Sequence, residues 1–177
     1  SAVDWSRKLG LFDDYREINQ FERVAAIDRD LVFVPALSGL ACPHWDRTAA
    51  GLWIGMSLET DRRDLVQALL EGVALRAAEV IRAMGQFATI SERISIDGGV
   101  SVNPYFCQFL ANVLNRQVSV NTMAEVTALG TAMLAAGGEL ERALDDANQR
   151  EYLPAADRSA CLERFALAVT RASRWRQ

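Results

Sequence analysis

Residues 94–106, ISIDGGVSVNPYF, run from an apolar, β-branched stretch through Asp97-Gly98-Gly99 to an Asn-Pro pair and two aromatic residues. Ile94–Ile96 predict a short buried strand, which the glycines break. Asn103 and Pro104 are residue types suited to open a helix, as its N-cap and its first residue. Phe106, Phe109, Leu110, Val113 and Leu114 supply that helix with an inner face. A strand–turn–helix unit of this kind has a chemical use. Gly98 and Gly99 let the backbone approach a phosphate or sugar, and the following helix turns the positive end of its dipole toward negative charge. The same glycines would also serve a plain strand-to-helix turn with no ligand. Asn103 likewise reads either as a cap or as an amide reaching a ribose or base. The turn is not a Walker A loop, because it lacks the GK[ST] ending and has no lysine nearby.

Outward from this unit, the pattern alternates. Toward the N-terminus, SAVDWSRKLGLF predicts a short helix ending near Gly10, and residues 13–26 a second one. LVFVPALSG predicts a strand halted by Pro35, and GLWIGMSL, residues 51–58, another, with a long loop between them. Asp61 is the expected N-cap of a long helix with Leu65, Leu69, Val73, Ala77, Val80 and Met84 on its inner stripe, ended by Gly85. Beyond the central unit come a brief strand at 117–120, a small-residue helix from Glu125 to about Ala136, and a polar stretch at 145–149. A last helix carries Leu162, Phe165, Val169 and Ala172. Strands interleaved with helices make the fold α/β. Two strands precede the first helix–strand alternation, so a mixed sheet flanked by helices is expected rather than a wholly parallel one. No internal repeat or linker divides the 177 residues, which read as a single domain, 1–177.

The loop 35–51, PALSGLACPHWDRTAAG, concentrates Pro, Gly, His and Trp. His44 and Trp45 either line a cleft or anchor the loop, and Asp46 suits a turn cap. His44 has no identifiable catalytic partner. No nucleophilic triad, paired catalytic carboxylates or metal-ligand cluster stands out, so neither a catalytic nor a metal residue is assigned.

Bulk composition narrows the function. Half the residues are hydrophobic, enough for a substantial core, and a formal charge of -4 argues against a nucleic-acid binder. Three cysteines without a CxxC pair argue against a disulfide framework or zinc site and suit a cytoplasmic setting. No apolar run reaches the length of a membrane span.

Four segments taken in order carry a more specific signal. They are VPALSGLACPHWDRTAAG (34–51), GLWIGMSLETDRRDLVQALLEGVA (51–74), IDGGVSVNPYFCQFLANVL (96–114) and EVTALGTAMLAAG (125–137). Together they resemble the C-terminal part of the FGGY carbohydrate kinases, glycerol kinases in particular, over roughly residues 1–137. The second segment is similar to the family's Gly-x-aromatic-x-Gly signature and the helix closing in Glu71. The resemblance implies a ribonuclease-H-like domain of the actin-like ATPase type, the nucleotide-binding lobe of a two-lobed kinase whose N-terminal lobe is absent here. It implies ATP with Mg2+ as cofactor, ATP or ADP as ligand, and a polyol bound through the other lobe, with a homo-oligomer compatible.

By the same resemblance Gly99 and Asn103 contact the nucleotide, and Gly98 is a neighbouring contact. SAVDW resembles a G-x-x-x-Q-W segment near the adenine, with Asp4 at the Gln position; a shorter, anionic residue there implies altered base binding or lost affinity. PHWD resembles the APYWD of glycerol kinases, which favours glycerol or a close polyol. The implied activity is ATP-dependent phosphorylation by the full-length parent. A ketose, pentitol or sugar-acid substrate is one alternative, and a catalytically inactive binding member of the fold another. The catalytic base is expected in the other lobe, so this chain alone is expected to be inactive.

Overall fold

In the computed structural model, residues 1–121, 131, 135 and 149–176 are described. Helix α1 (Ala2–Lys8) carries Asp4 in its first turn and Arg7 and Lys8 in its last, as the helix dipole favours. It gives way to Gly10 at φ +76°.

The second helix expected over 13–26 does not form. That stretch holds a 3-10 turn, Tyr15–Ile18, and an irregular passage leading into another, Ala26–Arg29. A capping box opens the first turn as a helix start would, the Asp14 carboxylate taking the Arg16 N–H while Glu17 takes the Asp14 N–H at 2.7 Å, but the turn is not continued. The cause lies further on, in the tertiary contacts. The N–H groups of Ala26 and Ile27 are taken by the Glu71 carboxylate, at 2.8 and 2.9 Å, and so cannot serve a helical ladder.

Strands β1 (Val32–Val34) and β2 (Leu52–Ile54) pair antiparallel, with Phe33 opposite Trp53. Trp53 sits between Phe33 and Trp5, at centroid distances of 4.3 and 5.7 Å, which ties α1 to this ribbon. Helix α2 (Arg62–Met84) starts at Asp61, whose carboxylate accepts from the Asp64 N–H at 2.9 Å, and ends at Gly85.

The predicted inner stripe of α2 is only partly right. Leu69 is fully buried, but Leu65, Val73, Ala77 and Val80 are half-buried and Met84 is exposed. The buried set is broader, from Val66 through Leu70, Ala74 and Leu75 to Ala78, and takes in the polar Gln67 and Glu71. The reason is position: α2 packs against β1 on one side and the next helix on another, so one stripe does not describe its covered surface.

The second sheet contains β3 (Arg93–Ile96), β4 (Gln117–Asn121) and β5 (Gln149–Tyr152). β3 and β4 are parallel, and β4 and β5 antiparallel, giving the mixed arrangement that the sequence predicts. Helix α3 (Pro104–Leu114) crosses between β3 and β4 and packs on α2; its Phe106, Phe109, Leu110 and Val113 are buried as expected, while Leu114 is half-buried. β5 was not foreseen. QREY lacks an apolar alternation, and its backbone ladder to β4 holds it instead.

Helix α4 (Cys161–Ala172) lays Phe165, Ala168, Val169 and Ala172 against β1 and α2. The expected helix from Glu125 to Ala136 lies outside the described residues except at Thr131 and Ala135. Cys42, Cys107 and Cys161 are free thiols, and burial pushes Cys107 up to about 12. Among the described residues, no helix is long and apolar enough to cross a membrane.

Candidate nucleotide site

The Asp97-Gly98-Gly99 turn stands at the end of β3 with all three residues exposed. Gly98 adopts φ +92° with ψ 173°, an extended positive-φ conformation that is essentially glycine's own and costs a residue with a Cβ roughly 1–3 kcal/mol. Among the described residues, a Cβ built on either glycine would meet nothing within 4 Å. Glycine at 98 is therefore favoured by its backbone geometry rather than by crowding from the described residues. Its backbone is held from within: Ser101 donates both its N–H, at 3.0 Å, and its hydroxyl, at 2.7 Å, to the Gly98 carbonyl. A 3-10 turn (Gly99–Val102) then leads into α3.

Asn103 is the N-cap of α3, its Oδ1 accepting from the Phe106 N–H at 2.8 Å. Its Nδ2 donates to the Ile18 carbonyl at 2.8 Å and to the Asn19 side chain at 3.4 Å. Only 6 % exposed, the amide is engaged at both ends. In this arrangement Asn103 holds the turn against the Tyr15–Ile18 segment.

Asp4 connects to the same segment. Its Oδ1 accepts from the Tyr15 hydroxyl at 2.5 Å and its Oδ2 from the Ser1 hydroxyl at 2.7 Å. The Tyr15 bond, with the Ser1 hydroxyl behind it, holds the Asp4 carboxyl well below the usual carboxylate range. Arg7 lies over the Tyr15 ring, 5.2 Å from its centroid. Asp4, the 3-10 turn and Asn103 thus form one connected run of contacts, with the glycines a few residues upstream of Asn103.

The structure adds residues that the motif did not name. Glu71, in the middle of α2 and 1 % exposed, accepts from the N–H groups of Ala26 and Ile27 and from the Tyr105 hydroxyl, the last at 2.5 Å. Burial raises its carboxyl to about 7, against the pull of those donors. The Tyr105 hydroxyl also accepts from Gln67 Nε2 at 2.8 Å. Gln67 in turn accepts from Arg29, which pairs with the buried Asp64 at 2.9 Å. A glutamate inside the apolar run ALLEGVAL was the signal available in the sequence, since a buried carboxylate needs donors.

Loop 35–51 lies on another part of the surface. His44 Nε2 meets Glu79 Oε1 at 2.7 Å, and Arg76 binds both Glu79 and the Cys42 carbonyl, so His44 anchors the loop to α2. Asp46 caps its turn as expected, taking the Thr48 and Ala49 N–H groups. Its other oxygen takes the Arg174 N–H from the far end of the chain. Trp45 stays exposed beside an open cleft of about 720 Å³ that His44, Asp46 and α4 also line. Both sequence readings of this loop therefore hold in part, as anchor and as cleft wall. Among the described residues, no group of three His, Cys, Asp or Glu side chains could hold a metal ion.

The chain is similar to known proteins of one family. Residues 2–138 match the model of the FGGY family of carbohydrate kinases, C-terminal domain. A glycerol kinase of Thermus brockianus is 35% identical over 186 residues, covering 100% of this chain and 38% of that protein. One from Haloferax volcanii is 34% identical over 136 residues, covering 76% of this chain and 27% of that protein. A crystal structure of Plasmodium falciparum glycerol kinase with ADP superposes with a TM-score of 0.80 at 28% identity, over 97% of this chain and 36% of that one. The chain thus spans between about a quarter and two fifths of the length of these relatives.

Proposed function

The chain belongs to the FGGY family of carbohydrate kinases, and we propose that it is the nucleotide-binding lobe of an ATP-dependent polyol kinase with glycerol as the favoured substrate. The observation that carries this reading is the Asp97-Gly98-Gly99 turn. It is exposed, free of described neighbours beside both glycines, set at Gly98 in a conformation that favours glycine, and backed by the capped N-terminus of α3. Such a turn can bring backbone close to a phosphate, with the helix dipole supplying positive potential. The ADP in the Plasmodium structure and the glycerol kinase names of the sequence relatives support nucleotide and polyol respectively.

In this reading Gly98 and Gly99 face the nucleotide phosphates. Asn103 keeps them in place through Phe106 and Ile18, and reaches the nucleotide only by releasing one of those bonds. Asp4 would stand on the adenine side, its oxygens occupied by Tyr15 and Ser1, and would offer a base no donor. Mg2+ would come with the phosphates, since the described residues offer no cage of their own. Phosphoryl transfer is largely positioning and charge stabilisation around an in-line attack. The polyol pocket and the base on the attacking hydroxyl would be contributed by the N-terminal lobe, and residues 1–177 form a single domain without turnover of its own.

Titration with Mg-ADP, followed by NMR at the amides of Gly98, Gly99 and Asn103, tests the site. Saturable shifts clustered there are expected, and a Gly98→Ala variant should weaken them. Shifts confined to other surfaces, or none up to millimolar nucleotide, would overturn the assignment of this turn. Turnover of glycerol by the chain alone would overturn the division of labour between lobes.

A further inference from the structure

Glu71 lies one helix away from the glycine turn, yet its contacts lead to it. Its Oε1 takes the Ala26 N–H and the Tyr105 hydroxyl, and its Oε2 takes the Ile27 N–H. Tyr105 is the second residue of α3, immediately after the Asn103-Pro104 pair that closes the turn. The N-terminus of α3 is therefore tied from two directions, through Asn103 to Ile18 and through Tyr105 to Glu71.

We infer that Glu71 is a proton-sensitive positioning residue: its carboxylate fixes the start of α3 through Tyr105, and protonation reverses that bond and shifts the Gly98-Gly99 turn. This rests on the proposed nucleotide reading for its functional consequence but not for its structural test.

The reversal follows from counting hydrogens. An ionised Glu71 is acceptor-only and meets three donors, which suits it. A proton added to Oε1 makes that oxygen a donor, and its nearest acceptor is the Tyr105 oxygen, which already accepts from Gln67. The phenolic hydrogen then loses its partner and must turn away, and the Ala26 N–H loses its better acceptor. A buried donor left unpaired is costly enough that the local packing should adjust. The carboxyl, raised to about 7 by burial, changes state within the neutral range. Burial and the Glu71 charge together push the Tyr105 phenol upward, so it stays protonated there.

Other ionisable groups on the elements packed against α2 are identifiable. The Ala26–Arg29 turn brings Asp28 and Arg29, and α4 and its approach bring Cys161 and Arg158. Arg158 pairs with Asp28 at 2.7 Å and draws the Glu71 carboxyl downward. Arg23 and Arg29 are committed to Asp64. α1 carries Asp4, Arg7 and Lys8, the Tyr15–Ile18 turn carries Tyr15, Arg16 and Glu17, and β1 has no ionisable side chain.

The test is an NMR pH titration from about pH 5.5 to 8.5, the range bracketing the shifted carboxyl, on the chain, Glu71→Gln and Tyr105→Phe. In the unmodified protein, the amides of Ala26, Ile27, Gly98 and Gly99 should share one midpoint near 7. Glu71→Gln should abolish it at all four. Tyr105→Phe should keep it at Ala26 and Ile27, moved upward by loss of a stabilising donor, and remove it from the glycines. That variant keeps the inference testable if Glu71→Gln does not fold. Glycine amides that stay flat while Ala26 and Ile27 titrate would overturn the coupling. So would a glycine response that survives Tyr105→Phe, or one without the Glu71 midpoint.

Mg-ADP affinity gives the functional arm. If only the ionised form is competent, binding should weaken up to about tenfold from pH 8 to pH 6, and much less in Tyr105→Phe. Titration of ADP itself is common to both proteins and cancels in the comparison. Equal pH dependence in the two would overturn the functional consequence. No binding at any pH would refute the nucleotide reading, while the amide titration still decides the coupling.

Discussion

Replacing Asn103 by alanine, serine and aspartate separates the two jobs of its amide. Its oxygen caps α3 at the Phe106 N–H, and its nitrogen satisfies the Ile18 carbonyl; each bond is 2.8 Å long. Removing an N-cap costs about 1 kcal/mol. Leaving a buried carbonyl without a donor costs about 1–3 kcal/mol, and Ile18 is only 3 % exposed, so water has little access to repair it. Asn103→Ala should therefore lower stability by about 2–4 kcal/mol. Asn103→Ser can still cap and should lose about 1–3 kcal/mol. Asn103→Asp also caps, with a small gain from the helix dipole, but it sets an oxygen against the Ile18 carbonyl and should be no more stable than the serine variant.

Urea unfolding, comparing midpoints at constant slope, measures all three. Alanine and serine variants both within about 0.5 kcal/mol of the parent would refute the double anchoring. An aspartate variant more stable than the parent would refute the contact with Ile18. The serine variant also separates positioning from ligand contact. Direct nucleotide contact through the amide predicts a loss of ADP affinity in Asn103→Ser even where Gly98 and Gly99 keep their native amide shifts.

Two further outcomes follow from the packing around α2. A Cβ at Gly72 would lie 2.1 Å from the Phe33 carbonyl oxygen, inside any normal contact, so α2 would have to move away from β1. Gly72→Ala should destabilise the fold by about 1–3 kcal/mol or more despite the roughly 1 kcal/mol that alanine gains in a helix; a higher urea midpoint would refute that close approach. The second outcome concerns pH. Glu71 is raised from 4.5 to about 7 on folding, so between those values the folded state holds a proton that the unfolded chain has released. Its stability contribution is fully present below about pH 4.5 and lost as pH rises to about 7, roughly 3 kcal/mol in all, and Glu71→Gln should flatten that part of the stability curve. Coincident curves for the two proteins over that window would show that Glu71 does not titrate as described. The ionised state that suits the α3 anchor is then the less stable one, a local cost of the kind found at functional sites.

Much of the layout was readable residue by residue. Asp61, Gly85 and the Asn103-Pro104 pair mark helix ends by chemistry that acts within one turn, and the structure places those ends as read. The Gly98-Gly99 turn is legible for the same reason, because a glycine break is a local feature; the sheet is mixed as expected, but through the antiparallel β5, while the two leading strands pair apart. The failures share a cause as well. Residues 13–26 look helical in isolation, yet a carboxylate from α2 takes the N–H groups of Ala26 and Ile27 where that stretch ends. β5 has no apolar alternation to announce it and exists through its ladder to β4. The stripe on α2 was misjudged because periodicity presumes one covered face.

The candidate site divides along the same line. By itself, the sequence determined that glycines sit where strand meets helix, that Asn103 can cap, and that four ordered segments match one kinase family. Only the tertiary structure decided that the Asn103 nitrogen is spent on Ile18, that Asp4 answers to Tyr15, and that Glu71 reaches the start of α3 through Tyr105. Caps and turns are set by neighbours a few residues away. Partners for buried polar groups come from segments 34 to 85 residues distant, and no local pattern encodes which of them will meet.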